Sequence, residues 1–225
     1  MSLKVELLHT TPLEIVVKAI RKCYDSGDKS DSGYGKDNIL ESSKTFKLGE
    51  KDKALVKRII DSGHHSTLEH LSYTFDLTGY SRALLQEKSR HRISSVSERS
   101  TRYCLGQLKH EEPFISNGTL NMIRAEQFLV FTGIKQVDEA SVYALEALRI
   151  CVVAGIQNDK SKYCLPDSLV SECIFTINAR SLRNFLELRT SLRALWEIRI
   201  MAYAMFNSLP EDHKFMYEDV VYQDK

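Results

Sequence analysis

From Leu71 to Thr78 the chain alternates without a break: Leu71, Tyr73, Phe75 and Leu77 against Ser72, Thr74, Asp76 and Thr78. Successive side chains of a strand point to opposite faces, so this run predicts a half-buried strand with one apolar face. Leu3 to Leu8 reads as a second, shorter strand and Ser168 to Ile177 as a third. Between them the apolar spacing is helical. Thr11-Pro12 opens a helix with Ile15, Val16, Ala19 and Ile20 on one side. A second helix runs from Glu50 to Ser62 and stops at Gly63. Ser81 is placed to cap a helix through Ala83, Leu84 and Leu85, which leaves Arg90 and Arg92 at or beyond its C-terminus. Tyr103 to Ile115 reads as strand and turn, Leu120 to Val153 as a long helical stretch with a break near Gly133, and Ser181 to Phe206 as one long helix. Asp25 to Lys36, rich in Gly, Ser and Asp, reads as a loop. Long helices with few, non-successive strands predict an α+β fold: one domain over 1–225, a central mostly antiparallel sheet flanked by long helices.

Charge and cysteine content narrow the function. The 225 residues carry 31 basic against 30 acidic side chains, a formal charge of +1. A general nucleic-acid binder carries a basic excess, so no nucleic-acid partner is expected. Five cysteines with no Cys-x-x-Cys pair fit reduced thiols rather than a disulfide frame. Met1 to Val17 shows no long apolar run and no stretch reaches the length of a membrane span. A cytoplasmic protein with no membrane partner is the expectation.

Against that neutral background, residues 90–103 concentrate four arginines, one histidine and four serines around a single carboxylate, Glu98. Each guanidinium presents five donors in a planar fork and stays charged. Such a cluster is a mould for several phosphate or carboxylate oxygens, or else a solvated face or a basic strip for single-stranded nucleic acid, with Tyr103 for stacking.

Two further constellations stand out. Gly63-His64-His65-Ser66-Thr67-Leu68-Glu69-His70 packs three histidines and a carboxylate just before the alternating strand. His64 and His70 are six apart, not the i, i+4 spacing of helical zinc ligands, and no cysteine is near; no metal is expected. In Asn178 to Arg199, helical spacing puts Phe185, Arg189, Arg193 and Glu197 on one face. Arg193 and Glu197 read equally as a solvated ion pair. Arg189 sits among Leu186, Leu188 and Leu192, where an unpaired charge is costly. Gly33-Tyr34-Gly35 does not continue into a dinucleotide fingerprint, and there is no phosphate loop or nucleophile elbow.

Together these segments resemble the flavin-dependent thymidylate synthases. Arg90-His91-Arg92, seven residues and Ser100, followed by Thr101-Arg102-Tyr103, is similar to the family signature; the Gly-His-x-Ser segment precedes it at the family spacing, and an Asn-x-Arg-Ser segment leads to an Arg and a Trp-Glu-Ile run. The likeness is clear over Gly63–Tyr103 and Leu165–Arg199. It implies reductive methylation of dUMP to dTMP, with methylenetetrahydrofolate as carbon donor, FAD as hydride carrier and NADPH as reductant of the flavin, in a homotetramer whose active sites are shared between subunits. It implies FAD contacts at His64, Ser66, Arg90, His91, Arg92, Glu98, Asn178, Arg180 and Asn184. It implies dUMP contacts at Gln86, Glu87, Glu98, Arg99, Ser100, Arg102, Lys162 and Arg189, with Arg189 catalytic through a uracil carbonyl. The chain departs from the family at Ser97, where Asn is commoner; at Glu87, where Gln is frequent; and at Lys162, where an arginine fork becomes a point charge.

Overall fold

The computed structural model describes residues 3–34 and 46–222. The alternating run becomes the strand Ser72–Ser81, with Tyr73, Phe75 and Leu77 fully buried and the intervening positions half-exposed. It stands second in a four-stranded antiparallel sheet ordered Lys4–Thr10, Ser72–Ser81, Val170–Asn178, Ser94–Glu98. Thr74 and Thr176 meet hydroxyl to hydroxyl at 3.0 Å on the half-exposed face, a cross-strand pair. The α+β class read from the sequence is the class observed. Of the loop read at 25–36, positions 35 and 36 lie outside the described residues; a short 3-10 turn at Gly27–Lys29 precedes Gly33–Tyr34, which pairs with Phe46–Lys47.

Three segments depart from the sequence reading in whole or in extent, and in two of them distant partners compete with the local pattern. Ser181–Phe206 is two helices, Ala179–Arg189 and Trp196–Ser208. Thr190, fully buried, turns its hydroxyl back to the Leu186 carbonyl at 2.6 Å and accepts from the Tyr222 amide at 2.9 Å. A hydroxyl bonded this way competes with the helical ladder, and the single face joining Phe185, Arg189, Arg193 and Glu197 does not exist. Leu120–Val153 is broken near Gly133, as the sequence reading expects, but over a longer stretch: a turn of helix at Met122–Ala125 and a long helix at Lys135–Val153. Between them the chain bridges to another strand, Val130 N donating to Ser168 O and Val170 N to Phe128 O, both at 2.8 Å. Tyr103–Ile115 holds no strand before Ile115. It is a helical turn, Thr101–Cys104, continued by a 3-10 helix at Leu105–His110 that buries Leu105 and Leu108.

The chain divides into two compact units: Met1–Lys4, Asp76–Arg90 and Val96–Ile174; and Val5–Phe75, His91–Ser95 and Phe175–Lys225. In the first, helix Lys135–Val153 buries Val142, Leu145, Leu148 and Val152 against Leu105, Leu108, Phe114 and Leu129. Each fully buried side chain of this size contributes about 1.5–3 kcal/mol. Asp138 fixes the entry to that helix by accepting from Thr132 N, Thr132 Oγ1 and Gly133 N at 2.7–3.0 Å.

In the second unit, helix Glu14–Cys23 buries Val16, Val17 and Ile20, and helix Glu50–Asp61 buries Val56, Ile59 and Ile60. Gly63, at φ +76°, closes the latter helix by donating to Ile60 O at 3.0 Å, a left-handed position suited to glycine. Tyr73, His213 and Tyr217 form a buried chain: Tyr217 OH to Tyr73 OH, and Tyr73 OH to His213 Nδ1, each 3.0 Å.

Candidate active site

In the first unit the arginine segment is approached through a short helix, Arg82–Lys88. Its N-cap is Ser81, as the sequence predicts: the Ser81 hydroxyl accepts from Leu84 N at 3.1 Å. Arg82 N and Ala83 N are tied to Leu169 O and Asp167 O, so the first two amides of the helix, which have no partner within it, are satisfied. Gln86 lies exposed and reaches Asp167 Oδ1 at 3.3 Å; Glu87 is half-buried. The helix stops at Lys88, and Arg90 follows it into solvent.

Glu98 ends the strand Ser94–Glu98 with its carboxylate turned into the protein. Tyr80 OH donates to it at 2.6 and 2.7 Å, Lys88 Nζ at 2.9 Å and Ser171 Oγ at 2.5 Å. Burial pushes the Tyr80 phenol well above its usual range, with the Cys173 thiol and Glu98 adding to the rise; its proton stays on. Arg99 points elsewhere: its main-chain amide donates to Glu172 O at 2.9 Å and its guanidinium to Gln107 at 3.1 Å. Ser100 opens the turn Thr101–Cys104, yet its hydroxyl makes no capping bond to it; among the described residues its carbonyl accepts from Tyr103 N and Cys104 N. Arg102 and Lys162 are exposed, and Asn158 Nδ2 holds the Arg102 carbonyl at 2.8 Å. Among the described residues the Arg90 and Arg102 guanidiniums meet no carboxylate.

The second unit holds the remaining predicted residues. His64 and Ser66 are exposed around the 3-10 helix His65–His70. His65 turns inward, its Nε2 at 3.0 Å from Ile60 O. Glu69 pairs with Arg180 at 2.6 Å, a bond between two half-exposed side chains. Asn178 is the N-cap of helix Ala179–Arg189, its Oδ1 accepting from Ser181 N at 2.8 Å, and Asn184 projects outward from the same helix. His91 is buried, edge-on to Phe185 at 4.7 Å between ring centres. Arg189, the last residue of its helix, donates Nε–H to His91 Nε2 at 2.9 Å. Accepting there, the imidazole carries its proton on Nδ1 and is neutral. Arg92, beside it in sequence, is exposed and meets no carboxylate among the described residues.

Sequence reasoning missed Lys88, its partners Tyr80 and Cys173, and Ser171, which donates to Glu98. Lys88 and Cys173 alone lie 85 positions apart in the chain, and no local pattern marks the group. Among the described residues no group of three or more His, Cys, Asp or Glu is placed to hold a metal.

The exposed Arg90, Arg92 and Arg102 guanidiniums, without a carboxylate among the described residues, are donors suited to anionic ligands. An Arg180–Glu69 pair at the surface is worth about 1 kcal/mol or less. Guanidiniums without a carboxylate fit the chemistry of a cofactor that carries a pyrophosphate.

Comparisons with known proteins point the same way. Residues 6–213 match the family model described as thymidylate synthase complementing protein. A flavin-dependent thymidylate synthase from Campylobacter jejuni is 45% identical over 223 residues, 99% of each chain. One from Wolinella succinogenes is 46% identical over 95% of this chain and 96% of its own. A crystal structure of the Helicobacter pylori flavin-dependent thymidylate synthase, complexed with FAD and dUMP, superposes with a TM-score of 0.86 at 43% identity, covering 97% of this chain and all of that one.

Proposed function

The chain belongs to the flavin-dependent thymidylate synthase family, and we propose on that premise how its own residues divide the work. It is an FAD-dependent enzyme that makes thymidylate from dUMP. When bound, FAD supplies the hydride chemistry; the protein binds, orients and polarises. The carbon donor is methylenetetrahydrofolate, the reductant NADPH, and the working form a homotetramer in which residues of different subunits complete each site. Exposed apolar side chains on helix Lys135–Val153, including Val137, Tyr143, Ile150 and Val153, support such an assembly.

The observation that carries the reading is the arginine-rich signature segment, whose outward Arg90, Arg92 and Arg102 guanidiniums have no carboxylate partner among the described residues. Arg90, Arg92 and Arg180 are the cations for the FAD pyrophosphate. His64, Ser66, Asn178 and Asn184 offer neutral hydrogen-bonding groups to the rest of the cofactor. His91 acts through its neutral ring, and Glu98 by holding its strand. Ser100 and Arg102 receive the dUMP phosphate, with Lys162 as a supporting point charge and Arg99, Gln86 and Glu87 bordering the substrate. Arg189 meets a uracil carbonyl, where its charge stabilises electron density that develops on the ring in the transition state. Its orientation is held by His91.

No side chain needs to attack the uracil. The sequence offers two bases for a Ser100 nucleophile, His91 and Glu98, and both are committed elsewhere: His91 Nε2 to Arg189, Glu98 to Tyr80, Lys88 and Ser171. A serine without a base in hydrogen-bond reach is a weak nucleophile. The test is direct. The purified protein should carry or take up FAD, oxidise NADPH faster with dUMP present, and form thymidylate only when methylenetetrahydrofolate is added; light scattering should give four chains per particle. A colourless protein that refuses FAD on reconstitution rejects the reading.

A further inference from the structure

Lys88 has no role in the reaction as assigned, yet it is only 1% exposed. Its ammonium donates to Tyr80 OH at 3.0 Å, Glu98 Oε2 at 2.9 Å and Cys173 Sγ at 2.7 Å. A methionine or leucine would fill the same volume without taking a charge out of water, and packing alone favours such a replacement. What an ion pair adds is direction: it fixes one carboxylate in one place.

That carboxylate is the last residue of its strand, two positions before Ser100 and four before Arg102. Its other oxygen is held by Tyr80 and Ser171. Past Glu98 the backbone is pinned again at each step: Arg99 N to Glu172 O, Ser100 O by the amides of Tyr103 and Cys104, Arg102 O by Asn158. The turn that presents the Ser100 hydroxyl and the Arg102 guanidinium therefore starts from a point set by Lys88.

We propose that Lys88 is a positioning residue for nucleotide phosphate recognition: by clamping Glu98 it sets where Ser100 and Arg102 stand, and it touches neither substrate nor cofactor. The proposal rests on the reading that Ser100 and Arg102 receive the dUMP phosphate. A displacement of the turn by a fraction of an ångström acts on the phosphate contacts and leaves contacts to the base and sugar alone.

The experiment uses the flavin-loaded protein and two ligands, dUMP and deoxyuridine, which lacks the phosphate. Lys88→Met should weaken dUMP binding by about tenfold or more while deoxyuridine binding moves by no more than about twofold. FAD content per chain should stay at the unmodified level. Because Lys88→Met strands a buried carboxylate and can fail to fold, Tyr80→Phe serves as the second variant; it removes a neutral donor to Glu98 and should show the same phosphate-specific loss, smaller in size. Ser100→Ala runs in parallel. If Ser100→Ala weakens dUMP and neither Lys88→Met nor Tyr80→Phe does, the positioning role is wrong and the phosphate reading stands. If Ser100→Ala leaves dUMP binding unchanged, the phosphate reading itself is wrong. Equal loss of dUMP, deoxyuridine and FAD in both network variants makes Lys88 a residue of general stability and overturns the proposal.

Discussion

Replacing Arg189 by alanine acts through two partners, and two assays separate them. The first partner is His91, buried at 9% exposure, whose Nε2 accepts from Arg189 Nε at 2.9 Å. A hydrogen bond from a charged donor contributes about 1.5–3 kcal/mol. Arg189 is half-exposed, so water replaces part of the loss and about 1–2 kcal/mol is expected. For a chain of this length that lowers the melting temperature by roughly 2–8 °C. The second partner is the substrate: losing one member of a desolvated charge pair costs about 2–5 kcal/mol. In kcat/KM for dUMP this is a fall of roughly 30-fold to several thousandfold. Flavin should remain bound, because the cations assigned to its pyrophosphate are untouched. Arg189→Lys keeps the charge and loses the planar fork, so it should recover stability better than turnover. The assays are a thermal melt of the flavoprotein, its FAD content, and dUMP-dependent NADPH oxidation. Near-normal turnover in Arg189→Ala refutes the argument; so does turnover lost only in proportion to lost folded protein.

Two other outcomes are expected. Ser100→Ala should raise the KM for dUMP and keep measurable thymidylate formation, and a Ser100–pyrimidine adduct seen by mass spectrometry during turnover refutes the non-covalent role. Acid should destabilise the fold in two stages. Burial pushes the His213 imidazole below its usual 6.5, against a weaker pull upward from Asp212; the unfolded chain protonates first, so stability declines as pH drops below that value. Burial alone raises the carboxyls of Glu146 and Asp52, but hydrogen bonds from Arg149 and the Phe114 amide, and from Ser30, Ser32 and Arg21, hold both below their ordinary 4.5 and 3.8. Their contribution is complete above those values and is lost as pH falls through the folded-state values. Melting temperatures that stay constant from neutral pH down to about 3.5 contradict this assignment.

What the sequence made legible was local. The Leu71–Thr78 alternation has a period of two that only a strand satisfies, and Ser81 and Gly63 mark helix ends by chemistry confined to a few residues. The break after Arg189 and the length of the break that Gly133 marks before Lys135 are different. Thr190 leaves the helix because its hydroxyl meets the amide of Tyr222, 32 residues on, and residues 126–134 leave it to pair near Ser168. Helical spacing through those stretches is real, and tertiary hydrogen bonds override it. The candidate site divides the same way. Arginines at short spacing announce an anion site, whereas the inward turn of Glu98 depends on Tyr80, Lys88 and Ser171, which no window of sequence joins. Arg189 was legible as a charge needing a partner; that the partner is His91 was not.

The chemistry around Cys173 has a practical consequence. It is 4% exposed, and burial raises its thiol above the usual range despite the opposing pull of Lys88 and Tyr80. A thiolate-seeking reagent in neutral buffer therefore finds it only when the surrounding strands part. The rate at which that one sulfur is labelled is a built-in clock for the opening of the strands behind the anion-binding turn. Run with and without nucleotide, the clock reports how firmly a bound ligand holds that part of the molecule shut, with no change to the sequence.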